Sequence, residues 1–211
     1  MQADRLLTLT QWLSPAFPVG AFAWSHGLER AVSAGHITQI HHLADWLTDV
    51  LARGAGRTDA ILLHQAHLGD DLDALADLAA ALAPSRERRA ETLQQGAAFA
   101  ATTRAVWGLD LPDMAYPVAV GRAAGLMDMD AVPVAQVWLQ AFASNLVQAA
   151  TRLMPLGQTA AQKIVHDLQP LCVQIGQETA NATLDDIGSA TFAVDIASMQ
   201  HATQHTRIFR S

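Results

Sequence analysis

Ile40-His-His-Leu-Ala-Asp-Trp-Leu-Thr-Asp-Val-Leu51 places Ile40, Leu43, Ala44, Leu47, Val50 and Leu51 at the i, i+3, i+4, i+7 spacing of one helical face. A strand would alternate every second residue, so this stretch decides for helix. Thr38 stands where a side-chain cap belongs, and Gly54 and Gly56 end the run.

The same pattern extends in both directions. Towards the N-terminus, Leu6, Leu9, Trp12 and Leu13 form a short amphipathic helix. Ser14-Pro-Ala-Phe-Pro-Val-Gly20 then reads as an ordered apolar loop, because two prolines and a glycine forbid helix there. A second helix is expected from about Ser25, as cap, to Gly35. Towards the C-terminus, helical patterns run over Thr58 to Leu68, Leu72 to Ala83 and Arg86 to Trp107, the last with Ser85 as cap. Pro117 and Pro133 are each placed as a first helical residue, opening segments to about Met127 and Leu153. Pro155 stops the second, and one long helix is expected from near Thr159 through Ile164, Val165, Leu168, Leu171, Cys172 and Ile175. Periodicity weakens after Asn181, and residues 195–211 read as a polar, basic-tipped tail.

No strand pattern, repeat, linker or composition break interrupts this series. The expectation is an all-α fold: a single-domain bundle over residues 1–211, of roughly eight to ten helices with an extended C-terminal tail. Composition agrees, since 51% of the residues are hydrophobic and 16% charged, and a chain of this size can bury roughly 70% of its unfolded surface.

A net charge of −7 repels nucleic acid and anionic lipid and suits a partner with a basic face. Cys172 has no second cysteine to pair with, which points to a reducing, cytoplasmic setting and to a small buried hydrophobe. Leu6 to Leu13, after Arg5 and before Ala21-Phe-Ala23, imitates an export leader, but Asp4, Thr8, Thr10 and Gln11 interrupt it. No stretch reaches eighteen apolar residues, so no membrane span is expected.

Chemistry-bearing constellations are sparse. Gly157-Gln-Thr-Ala-Ala-Gln-Lys-Ile164 keeps the frame of a phosphate-binding loop but has Gln162 for the second glycine and Ile164 for the magnesium-binding hydroxyl. His64/His67 and His201/His205 offer two imidazoles from one helical face, and two ligands do not close a metal site; His41/His42 are weaker still. No metal, cofactor or catalytic set is assigned. On the segment from Val134 to Leu153, the apolar face of Val134, Trp138 and Ala141 continues as Asn145, Gln148 and Arg152. Those polar groups must find hydrogen bonds, either inside the bundle or in a bound partner.

Three segments together resemble the UreF family of urease accessory proteins. They are Ser14-Pro-Ala-Phe-Pro-Val-Gly-Ala-Phe-Ala-Trp-Ser-His-Gly-Leu-Glu29, Arg152-Leu-Met-Pro-Leu-Gly-Gln158 with Gln162 following, and Asp195-Ile-Ala-Ser-Met-Gln-His-Ala-Thr-Gln-His-Thr-Arg-Ile-Phe-Arg-Ser211. Ser85-Arg-Glu87 before a long helix also fits. Gln200, Ala202 and His205 depart from the Arg, Glu and Tyr that the family more often carries there.

The resemblance implies an all-α accessory protein without catalysis of its own. It implies a homodimer that binds UreD (UreH in some systems), recruits the GTPase UreG, modulates its GTP hydrolysis, and helps deliver nickel to apo-urease. Partner-binding residues carried over are Ser25, His26, Gly27, Glu29, Gln148, Arg152, Pro155, Gly157, Gln158, Asp195, Met199, His201, Gln204, Arg207, Phe209 and Arg210. Arg207, between Thr206 and Ile208-Phe209, is the expected hot spot, and Glu29 either accepts a basic partner group or caps a neighbouring segment. Gly157 is expected to supply a backbone conformation that other residues resist. The tail, 195–211, is expected to order when a partner binds. Two alternatives stand beside this reading: a nickel carrier working through the histidine pairs, and a helical enzyme with a buried pocket.

Overall fold

The computed structural model describes all residues from Met1 to Ser211 and contains no β-strand. Its α-helices are α1 (Ala3–Trp12), α2 (Leu28–Ser33), α3 (Ile40–Arg53), α4 (Ala55–Leu68), α5 (Leu72–Ala81), α6 (Arg86–Trp107), α7 (Tyr116–Leu126), α8 (Ala131–Leu153), α9 (Gln158–Asp167), α10 (Gln169–Glu178) and α11 (Phe192–His201). Short 3₁₀ turns lie at Ala21–Ala23, Thr179–Asn181 and Leu184–Asp186. The all-α expectation holds, with one more helix than its upper bound.

The extra helix has a local cause. The long segment expected from Thr159 breaks at Leu168 into α9 and α10, because Pro170 has no N–H to give the carbonyl four residues back and its ring crowds that turn. A second difference lies in the tail: residues 192–201 are helical, and the remainder packs back on the body of the chain.

One hydrophobic core of 47 buried residues runs through the whole bundle. α8 lies at its centre, about 35 Å long at 1.5 Å per residue, and touches α2, α3, α4, α7, α9 and α10. The closest helix pair is α4 with α7, where Gly121 backs onto the Leu63 carbonyl and Gly125 onto that of His67, so that neither position has room for a Cβ. On the expected amphipathic face, Leu43, Leu47, Val50 and Leu51 are buried while Ile40, at the helix start, stays exposed. Thr38 is not a side-chain cap there; the His42 imidazole reaches back to the Thr38 amide instead.

The Ser14–Gly20 loop is ordered as expected. Phe17 sits 5.5 Å from the Phe99 ring, and Trp12 meets Phe99 edge-on at 5.4 Å. This aromatic cluster fixes the loop against α6, and the turn at Ala21–Ala23 that follows packs on α8.

Candidate partner interface around the C-terminal tail

Ser25 Oγ accepts the amide of Glu29, fixing the first turn of α2 much as a cap does, although the helix proper begins at Leu28. His26 and Gly27 both take left-handed backbone angles, φ 56° and 76°. A Cβ at position 27 would lie 2.8 Å from the Ser198 amide of α11, so α11 crosses α2 at a point where only glycine fits.

That crossing brings Glu29 inside. Its carboxylate accepts the amides of Ile208 at 2.7 Å and Phe209 at 2.9 Å, and lies 3.0 Å from His201 Nε2. His201 Nδ1 lies 2.7 Å from Glu87, which also accepts from Arg207 at 2.9 Å. One turn further along α6, Glu91 pairs with Arg88 and accepts from Gln95 and from the hydroxyl of Ser211. The Ser25 amide and hydroxyl both donate to the Ser211 carbonyl, and the His26 amide donates to Ser211 Oγ. Ser85, the cap of α6, also meets Ser198 of α11 at 2.7 Å. A buried polar clasp thus ties the tail to α2 and α6.

Aromatic contacts finish the clasp. Phe209 is buried beneath the Arg152 guanidinium, 4.3 Å from the ring centre, and Arg210 lies 4.6 Å over Trp24 while its amide donates to Ala23. Arg152 also donates to the Phe22 carbonyl and Asn145 to that of Ala21. Asn145 and Arg152 of the polar stripe of α8 are therefore satisfied inside the chain by the turn they support, while the Gln148 side chain lines a neighbouring cavity.

The expected site residues divide accordingly. Ser25, His26, Gly27, Glu29, His201 and Phe209 are buried and hold the tail from within. Glu29 takes the second of its two expected roles: it caps a neighbouring segment. Arg207, Arg210, Arg152 and Met199 are exposed around the same segment, with Asp195 and Gln204 partly so. Pro155, Gly157 and Gln158 are exposed just beyond the C-terminal end of α8. Gly157 has φ −72° and open space around it, so it needs no special conformation; it is an ordinary residue before α9. The tail expected to await a partner is here already packed, because Glu29 and Ser25 satisfy its backbone groups.

Histidines expected as possible ligand pairs have other work. His64 lies 3.3 Å from the Gly176 carbonyl and His67 2.7 Å from that of Met129, while His205 is exposed and His201 is held between carboxylates. Gln200, one of the departures, accepts from Arg30 of α2.

Several residues escaped the sequence reading. Glu91, Arg88 and Ser211 belong to the clasp, and Phe192 and Ile196 join Met199 as an exposed apolar stripe along α11 at i, i+4, i+7. The spacing was a visible signal, hidden because Val194 and Ala197 make the opposite face apolar too. Asp59 was missed as well. It lines a cavity of about 220 Å³ behind the Ser14–Gly20 loop and a smaller one of about 70 Å³ that it shares with His26, Arg88 and Asp195. Burial pushes the Asp59 carboxyl up to about 7, with Arg88 opposing the shift and Glu91 adding to it. Burial, with Arg88 adding, holds the His26 imidazole well below its ordinary value, and burial raises Asp195.

Fold and site define a helical protein whose distinctive polar groups hold a surface in shape. A family model described as UreF matches residues 37–169. Two Cereibacter sphaeroides proteins named urease accessory protein UreF are 53% and 55% identical over 206 residues, covering 98% of each chain. One of the same name from Roseobacter denitrificans is 46% identical over 213 residues, covering all of this chain and 96% of its own. The chain belongs to the UreF family. No helix of the structure is long and apolar enough to cross a membrane.

Proposed function

We propose that this protein is a scaffold for nickel insertion into urease: it binds UreD (UreH), recruits the GTPase UreG, and modulates GTP hydrolysis while nickel passes to apo-urease. The chemistry belongs to those partners. Family membership supports the accessory role, and the named partners follow from the family resemblance.

The observation that carries the reading is the surface of the C-terminal segment. Phe192, Ile196 and Met199 are each more than half exposed, on a helix whose opposite face of Val194, Ala197, Ser198 and His201 is packed, and Ile208 beside Arg207 is 55% exposed. Apolar side chains set out in a row, with arginines nearby, have the composition of interface hot spots. The clasp beneath them keeps that row rigid, so a partner spends little free energy on ordering it.

The test is a titration of purified UreD against the wild-type chain and against Phe192→Asp/Ile196→Asp. Both side chains point to solvent, so the double variant is expected to keep its melting temperature while losing at least tenfold in affinity. UreG capture by the resulting complex should fall in parallel. Undiminished UreD affinity in the double variant would remove α11 from the interface. The homodimer is checked by the mass of the free chain in solution.

A further inference from the structure

The cavity behind the Ser14–Gly20 loop has an unusual wall. Phe17, Tyr116, Trp138 and Phe142 line it, and Phe22, 73% exposed, stands at its mouth. Asp59 of α4 reaches it from below. That residue lies deep between helices yet keeps some free surface, and the free surface belongs to the cavities it lines. It makes no hydrogen bond or ion pair within the chain; Arg88, the only cation at this floor, is paired with Glu91.

Two carboxylates against one guanidinium leave this floor one negative charge in excess. An unpaired buried carboxylate is costly and is stabilised by a cation or by taking up a proton. Aromatic faces attract cations through their quadrupoles, and a ring of them around a carboxylate suits an ammonium group on an apolar body. We infer that this cavity is a binding site for a small organic ammonium group, with Asp59 as its counter-ion and the aromatic wall around its alkyl body. The ammonium is carried either by a free alkylamine or by a lysine side chain of a docked protein. Nothing in this assignment depends on the scaffold role.

The site also has a built-in pH dependence. Asp59, facing Arg88 and Glu91 of α6 with His26 and Asp195 across the smaller cavity, must ionise to serve as counter-ion. Ammonium affinity should therefore climb as pH rises through about 7.

The experiment uses the full chain and three probes of four carbons each: n-butylammonium, 1-butanol and butyrate, followed by the Trp138 indole N–H resonance. Butylammonium is expected to bind at least tenfold more tightly than 1-butanol at pH 8, with butyrate silent. Its affinity should fall at least tenfold at pH 5.5 and by a similar factor in Asp59→Asn. Ala141→Leu, which fills the cavity without touching its charges, should abolish the response and serves if Asp59→Asn does not fold. Nα-acetyl-lysine methylamide separates the sources: if it binds as butylammonium does, a docked lysine fits, and if only butylammonium binds, the ligand is a free amine. Equal responses to all three heads would show an apolar cavity indifferent to charge, and butylammonium binding that survives Ala141→Leu would place the amine elsewhere; either result overturns the assignment.

Discussion

His201 on α11 stands 3.0 Å from the Glu29 carboxylate on α2, although 172 positions separate them in the chain. Glu87 of α6 faces the other ring nitrogen at 2.7 Å, so one imidazole bridges carboxylates from two helices. The ring is fully buried. Removing it leaves each carboxylate one hydrogen bond short, and removing Glu29 strands two tail amides and leaves the ring with Glu87 alone. Glu29→Ala and His201→Ala should each cost about 3 kcal/mol in denaturant unfolding. The double variant should cost much less than the sum, because the two side chains act as one unit. Additive losses would mean that the contact is incidental.

Arg207 behaves differently. Its side chain is 39% exposed, and its pair with Glu87 lies at the protein surface, where such pairs contribute about 1 kcal/mol or less. Arg207→Ala should therefore leave the melting temperature nearly unchanged. Against UreD it should weaken assembly by about 2 kcal/mol, roughly thirtyfold. A pull-down titration measures the second effect, and unaltered UreD or UreG affinity would exclude Arg207 as an anchor.

Between α4 and α7 the decisive group is an absence. Gly121 faces the Leu63 carbonyl so closely that any Cβ must push the helices apart. Gly121→Ala raises helix propensity yet should destabilise the protein by about 2 kcal/mol or more, through overpacking against backbone that cannot move aside. Thermal unfolding decides the sign. A neutral or stabilising outcome would mean that the pair has slack.

What the sequence made legible follows from what periodicity can encode. The amphipathic face of α3 announces itself because burial of Leu43, Leu47, Val50 and Leu51 is a local consequence of spacing. Arg88 and Glu91 lie in a run of charges at the start of α6, Arg86-Glu-Arg-Arg-Ala-Glu91, yet they are 8% and 5% exposed. Glu91 meets the Ser211 hydroxyl, 120 positions away, and no window of sequence contains both. Composition held a faint trace of the clasp: Glu29, Glu87 and Glu91 are three of only four glutamates in a chain with 20 acidic residues. The tail misled for a related reason. Its polar groups suggest solvent, but their partners are buried side chains of α2 and α6, so a segment that looks frayed in isolation is packed.

Asp59 gives the clearest dependence on pH. Burial raises its carboxyl to about 7, whereas in the unfolded chain it titrates at about 4. The folded state therefore keeps a proton that the unfolded chain has released between those two values. Stability contributed by this group is full below about pH 4, declines as pH rises, and is gone above about pH 7. At about 1.4 kcal/mol per tenfold difference in proton affinity the ceiling is about 4 kcal/mol, and the partial exposure of Asp59 reduces it to about 2 kcal/mol. Asp59→Asn keeps the shape and discards the charge. It should raise unfolding stability by about that amount at pH 8 and change little at pH 4.5, which urea titrations at the two values compare directly. If the variant gains equally at both, the substitution acts through packing rather than through the proton.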